Sequence, residues 1–432
     1  MYRRYGVKRR SLVTAVAAGT PAAIVLASCS QGSSSGGQDA GVVTLNGDRA
    51  DFTDAYELAG AELEKITGYA IEPRNVPSTE NYQQVVRSSL QTSSTTDLVK
   101  WWNGYRLQDL ARSGGLADLS GQWDSAAEKG WVNPETRDSF SYDGKVYGIP
   151  MYKSYWVIFY NRLVFDEVGI AAPTTWDEFE DNNAKLRDAG VTPLFATQEA
   201  GWTSSIWFAE ILSKLDPQFY TDLTAGEAKY TDATAQEAMR IWAGMYAEGY
   251  FTAADVAWDS EPSLLASGEV AQVPMGTWRN GTFAEAGLGE GEYSAFLLPP
   301  FDPATAPSVI VESGSISVAE KAPNKEAALE TMANWLDPAV QRPWVENIKD
   351  TSANPQVTTD DPVLETVLEA VSEQEPTELV RYWEASPPAL IEGGVQHLGA
   401  FMADPTESNI MPTLENLQSL ADDEWARWDA GS

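Results

Sequence analysis

The chain has 432 residues, 63 of them acidic and 29 basic, with a formal charge of −34. A surface of that sign lacks the Lys and Arg clusters that grip phosphates, which excludes nucleic acid as a partner; the plain reading of the acidity is solubility or adaptation to salt. A single cysteine excludes an internal disulfide and a multi-cysteine metal site, so a hydrophobic core must hold the fold.

The first ten residues, MYRRYGVKRR, carry Arg3, Arg4, Lys8, Arg9 and Arg10 and no acid. Residues 11–27 are apolar or small, too short a run to span a bilayer comfortably, and include Pro21. This is the pattern of a secretory signal. It ends Leu26-Ala27-Ser28-Cys29, which resembles the lipobox of bacterial lipoproteins. The resemblance implies that residues 1–28 are removed and that Cys29 receives a lipid. That lipid would hold the protein extracytoplasmically at the outer face of the cell membrane, as its only membrane contact. The alternative is a plain signal with an incidental cysteine. Removal takes the charge to −39 and leaves 404 residues, ample for two domains. Residues 29–39 are rich in Ser and Gly and read as a flexible tether.

Residues 42–45 form the first expected strand. Phe52, Ala55, Ala59, Leu63 and Ile66 mark one face of a helix that Gly68 stops. A strand over 70–76, a helix over 82–90, a strand over 97–102 and a helix through Leu110 follow, closed by a turn at Gly114-Gly115. Strand–helix alternation implies α/β layers with mainly parallel sheets, whose ligands lie beyond the carboxyl ends of strands. The loop at 46–49 and Trp101-Trp102-Asn103 fall at such ends. Period two sends Trp101 and Trp102 to opposite faces, one into the core and one toward a cleft, without saying which.

Residues 144–190 read as a turn, a long apolar strand over 146–160, a loop and a capped helix. Pro150 cannot donate to a ladder, so the strand should break or change sheets there. Thr175 and Glu178 have capping-box spacing, Gly190 closes the helix, and Trp176, Phe179 and Leu186 share a face. This stretch resembles the domain crossover of bacterial extracellular solute-binding proteins of the large sugar-binding family. The matching pieces are Tyr147 to Pro150, Tyr160-Asn161, Gly169, Pro173 and Thr175 to Glu178, in the family's order.

Residues 190–249 are mostly helical in pattern. The segment LLASGEVAQVPMGTW over 264–278 reads as a helix end, a strand and a Gly-Thr-Trp turn, again similar to the family. Residues 308–318 form a return strand containing Gly314. Asn324 is placed to cap a helix bearing Leu329, Met332 and Leu336, and helices dominate from 362 to 427.

Catalytic patterns are missing: no Gly-x-Ser-x-Gly, His-Glu-x-x-His, phosphate loop or Gly-x-Gly-x-x-Gly occurs. The one histidine, His397, lies in an apolar stretch and reads as structural. Asp48, Glu80, Asp259 and Glu261 could form a carboxylate pair, but among 63 acids a pair says nothing. With one histidine, no metal or cofactor is expected.

Aromatic rings suit the C–H faces of sugars, while carboxylates, amides and Arg suit their hydroxyls. The resemblance implies ligand contacts for Trp278 after its Gly-Thr turn and for Trp383 in Arg-Tyr-Trp-Glu. Asp48 and Arg49 resemble a first-loop acid–base pair of oligosaccharide binders, against a solvated turn with a local ion pair. Trp202 follows Gly201 in a loop, and Tyr155 lies at the crossover. Glu80, Asn103 and Glu312 are polar candidates at a strand-to-helix loop, a strand end and the hinge, each with a surface alternative. Thr96-Asp97 replaces the family's usual Pro-Asp, which weakens assignments on the first lobe's rim.

The resemblance thus implies a type II periplasmic-binding-protein-like fold: two α/β lobes, each a sheet flanked by helices, with a hinge between them. The expected boundaries are 40–152 with 314–372 for lobe one, and 153–313 with 373–432 for lobe two. The implied function is capture of a carbohydrate, an oligosaccharide, by hinge closure, with delivery to the permease subunits of an ABC importer. The protein is expected to be a monomer and not an enzyme. The alternatives are another solute, such as glycerol phosphate, or a secreted glycoside hydrolase or lyase.

Overall fold

The computed structural model describes residues 41–76 and 78–431. The signal segment, Cys29 and the tether lie outside them. Two sheets, each with its own hydrophobic core, make up the described chain.

The first sheet has the order β2-β1-β3-β12-β6, built from β1 (Val42–Gly47), β2 (Ala70–Asn75), β3 (Leu98–Trp102), β6 (Ile149–Pro150) and β12 (Gly314–Val318). A short hairpin of β4 (Ser141–Tyr142) and β5 (Lys145–Val146) stands apart. The second sheet has the order β13-β11-β7-β9-β8, with β10 also paired to β7. Its strands are β7 (Ser154–Asn161), β8 (Thr192–Leu194), β9 (Val270–Gly276), β10 (Tyr293–Phe296), β11 (Ser308–Glu312) and β13 (Thr377–Val380).

β1 runs parallel to β2 and β3, but β12 pairs antiparallel with both β3 and β6. In the second sheet β11, β9 and β10 all run antiparallel to β7. The sheets are therefore mixed rather than mainly parallel. Strands that cross from one sheet to the other arrive from the opposite end and pair antiparallel.

Pro150 does separate the long apolar run. Ile149 and Pro150 pair with β12 in the first sheet, while β7 is the central strand of the second. The 308–318 segment divides likewise at Ser313 into β11 and β12, one in each sheet. Helix Pro362–Gln374 sends Val363 and Val367 into the second core, whereas the expected boundary at 372 grouped it with the first.

Local signals mostly act as their chemistry predicts. Gly68 ends helix Thr53–Thr67 in the left-handed conformation. Thr175 caps helix Trp176–Asp188 by accepting from the Glu178 amide, but the Glu178 carboxylate accepts from the Thr174 amide and hydroxyl, one residue before the cap. Asn324 sits at the N-cap of helix Lys325–Asn334, yet its side chain donates to Val42 O and Asp97 instead. Buried Asp97 also accepts from the Thr44 amide and hydroxyl, so this carboxylate ties β1, β3 and that helix together.

Candidate functional site

The loops beyond β1, β3, β9, β11 and β13 converge where the two sheets' carboxyl ends meet. From the first lobe come Asp48, Arg49 and Asp51 after β1, and Asn103 to Arg106 after β3. From the second come Trp278 and Arg279 after β9, Glu312 at the end of β11, and Arg381 to Glu384 after β13.

Trp278 is held by its neighbours. A Cβ at Gly276 would lie 2.5 Å from the indole nitrogen, so only glycine lets the ring fold back over its own strand. Its Nε1 donates to Glu312 at 3.0 Å. The ring is 8% exposed and belongs to the second core, although the turn suggested a freely projecting side chain. From the opposite lobe, the Arg49 guanidinium lies 4.9 Å from its centroid. Arg49 also pairs with Asp51, and Asp51 has its pKa lowered despite partial burial, through Arg49 and, across the junction, Arg279.

One oxygen of Glu312 takes three donors: Trp278, Trp156 Nε1 at 3.2 Å and Arg381 Nη1 at 2.7 Å. Arg381 is also bonded to both oxygens of Glu384. Burial alone would lower its pKa, but Glu312 and Glu384 raise it, so the guanidinium stays charged. Trp156 meets Trp202 edge-on at 6.4 Å, and Trp202 meets Trp258 at 5.6 Å. Arg279 covers Trp258 at 4.5 Å and pairs with buried Glu261 at 2.6 Å. Burial pushes Glu261 up to about 7, with Arg279 opposing.

Around β3, Asp48 pairs with Lys100 at 3.1 Å, both side chains being nearly covered, and Lys100 lies 4.1 Å from the Trp102 ring. Asp48 is thus neither a solvated turn residue nor partner to Arg49. Trp101 is fully buried, donating to Arg106 O, and Trp102 is only 6% exposed. The expected division into one core and one cleft tryptophan fails because Tyr82 packs on both rings and Arg106 also lies against Trp102. Arg106 crosses the junction, donating to Trp383 O and to Glu392, each at 3.0 Å, and lies 4.0 Å from the half-buried Trp383 ring. Glu80 lies on helix Thr79–Ser89, with its side chain outside the described residues.

Tyr155 sits at the hinge. Its amide donates to Thr277 Oγ1 at 3.1 Å, and its ring is buried with Lys153 5.3 Å away. Next to it is a carboxylate for which the sequence offers no signal. Asp350 accepts from Ser154, from Thr277 at 2.5 Å and from the Thr351 amide at 2.8 Å. Burial pushes it up to about 7, its hydrogen bonds opposing. Lys153 N donates to Thr351 O and the Ser313 hydroxyl to Tyr152 O, so the crossings are tied to one another.

The structure therefore joins Arg49, Trp202, Trp278 and Glu312 in one chain of contacts, and Trp102, Trp383 and Arg106 in another, linked through Glu384. Trp101 belongs to the core and Tyr155 to the hinge. Arg106, Arg279, Arg381, Glu384, Trp156 and Trp258 were not singled out from the sequence. Arg381 and Glu384 had a signal in their adjacency to Trp383; the others had none. Among the described residues no His, Cys, Asp and Glu group could hold a metal ion, and no helix is long and apolar enough to cross a membrane.

A sequence profile for bacterial extracellular solute-binding proteins matches residues 46–342. A probable sugar-binding periplasmic protein of Mesorhizobium japonicum is 28% identical over 53% of this chain and 55% of its own length. One of Rhizobium meliloti is 27% identical over 55% and 58%. The chain spans about half the length of the curated relatives it matches. Among solved structures, the bacterial solute receptor AcbH, described as exclusively preferring β-D-galactopyranose, superposes with a TM-score of 0.79 at 18% identity, over 89% of this chain and 99% of that one. A chitin oligosaccharide binding protein gives 0.75 at 16% identity, over 88% and 98%. The structural matches establish the shared fold, and the profile covers more than half of the sequence: the chain belongs to the bacterial extracellular solute-binding protein family.

Proposed function

We propose that this protein captures an uncharged carbohydrate, an oligosaccharide, between its lobes and presents it to the permease of an ABC importer. The carrying observation is the junction itself, where indole rings from both lobes are set among carboxylates, an amide and arginines. Flat rings pack on pyranose C–H faces, and the polar groups bond hydroxyls. The names of the relatives and the ligands of the structural neighbours support a sugar.

The charge arrangement disfavours the glycerol phosphate alternative. Arg49, Arg106, Arg279 and Arg381 each face a carboxylate already: Asp51, Glu392, Glu261, and Glu312 with Glu384. A phosphate entering here would meet little uncompensated positive charge. The reading needs no covalent chemistry and no cofactor.

The lobes we infer are 41–152 with 314–357, and 153–313 with 362–431, joined by three crossings. Val357 belonging to the first core and Val363 to the second supports the last of these. A monomer, membrane-held through a lipid on Cys29, completes the reading; the basic, apolar, Leu-Ala-Ser-Cys amino terminus supports it. A Cys29→Ala variant should be released from membranes or stay unprocessed, and normal maturation with membrane fractionation would refute the anchor.

The main test is a thermal-shift screen against neutral sugars and glycerol phosphate. A ligand at about one hundred times its dissociation constant adds about 2.7 kcal/mol of stability. Stabilisation by glycerol phosphate alone would overturn the carbohydrate reading.

A further inference from the structure

Two buried polar atoms at the junction have no partner. Asn103 occupies the N-cap position of helix Gly104–Arg112, but its side chain makes no capping bond and its Oδ1 is buried and unpaired. Arg106 is fully buried. Its Nε and Nη1 are engaged across the junction, while Nη2 is buried and unpaired. N-cap and third-residue side chains lie side by side at a helix start, the arrangement that makes a capping box possible. A buried orphan is costly, so an acceptor and a donor left unpaired three residues apart at one helix start call for an explanation.

We propose that Asn103 and Arg106 are a hydroxyl-reading pair that sets which sugar the cleft accepts, a proposal that rests on the carbohydrate reading above. A hydroxyl is both donor and acceptor. It can donate to Asn103 Oδ1 while it, or its vicinal neighbour, accepts from Arg106 Nη2. The same geometry rejects an anionic substituent, because a carboxylate or phosphate oxygen offers Asn103 Oδ1 only another acceptor. The charge of Arg106 is also already met by Glu392. The guanidinium lies 5.7 and 4.0 Å from the rings of Trp102 and Trp383, which hold it in place, and of the two only the half-buried Trp383 keeps apolar surface for a pyranose face. Asn103 and Arg106 come from the first lobe, Trp383 and Glu392 from the second, so parting the lobes uncovers the pair.

The test uses the full chain and calorimetry with galactose, cellobiose, xylobiose and chitobiose, then the monodeoxy derivatives of whichever binds tightest. One monodeoxy derivative should bind wild type about tenfold or more weaker than its parent, from the cost of leaving the pair unsatisfied. Asn103→Leu should weaken the parent by a similar factor and leave that one derivative unaffected. Asn103→Asp, which keeps the acceptor, should restore parent binding to within a few-fold. Equal losses across all derivatives in Asn103→Leu would make Asn103 merely structural and overturn the pair. So would full wild-type affinity for every monodeoxy derivative, a result that does not depend on any variant folding. If wild type binds none of the sugars, the carbohydrate reading itself fails and this assignment falls with it.

Discussion

Trp278 follows Thr277 in the chain and Asp350 accepts from the Thr277 hydroxyl, yet the two do different work. The indole of Trp278 is anchored at its edge by Glu312 and covered on the junction side by Arg49. Trp278→Ala is expected to cost about 3–5 kcal/mol of stability, because the ring is core as well as surface, and about 1–3 kcal/mol of sugar affinity, as for other stacked aromatics. Trp278→Phe keeps a ring but not the donor, and should lose only about 1 kcal/mol of stability. Thermal melting and calorimetric titration of both variants check this. Asp350 has its pKa raised to about 7. A raised carboxyl favours the folded state most below its unfolded pKa, and that contribution is lost as pH rises toward the folded value. Wild-type stability should therefore fall between about pH 4 and pH 7 by an amount on the order of 4 kcal/mol from this group, the equivalent of roughly three pKa units. Asp350→Asn should flatten that part of the profile, and an unchanged pH dependence of the denaturation midpoint would refute it.

Among the elements, helix Gly104–Arg112 of the first lobe lies directly against the second. The Tyr105 amide donates to Glu384 O at 2.9 Å. Gly104 has φ of +58°, and a Cβ there would lie 2.4 Å from the same carbonyl oxygen. Backbone cannot yield as a flexible side chain can. Gly104→Ala should therefore lift the helix from the 381–384 turn and cost about 1–3 kcal/mol, through both the close approach and the left-handed conformation. A melting temperature equal to that of wild type would show that the lobes need not meet here. The same helix contacts the C-terminal helix Glu407–Asp429, where Tyr105 packs edge-on against Trp425 and Trp428, and Arg112 stacks 3.6 Å from Trp428. Lobe contact is thus spread along the helix rather than confined to its start.

For the whole molecule, the motion we propose is lobe rotation about the inferred crossings, which are tied by shared hydrogen bonds, since it breaks neither core. A ligand that binds the closed arrangement better shifts the population toward it. Small-angle scattering should show a smaller radius of gyration at saturating sugar, with the sugar recovered chemically unchanged. An unchanged radius would count against hinge closure, and an altered sugar against a binding-only role.

Much of this architecture was legible in the order of residue types. Alternating strands and helices, Pro150 within an apolar run, Gly68 after a helix face and the Gly276-Thr277-Trp278 turn all act through local backbone physics, which a single stretch of chain carries in full. The positions of Trp202, Trp278 and Trp383 in loops beside strand or helix ends were legible for the same reason. What folding alone decided are the partnerships between distant residues. Asp48 with Lys100, Glu312 with Arg381 and Arg106 with Glu392 lie 52, 69 and 286 residues apart. Asp350 reaches Ser154 over 196 residues. Among 63 acids, nothing local distinguishes the few that become buried. Burial and pairing are properties of the space between two sheets, and that space exists only once the chain has crossed between them.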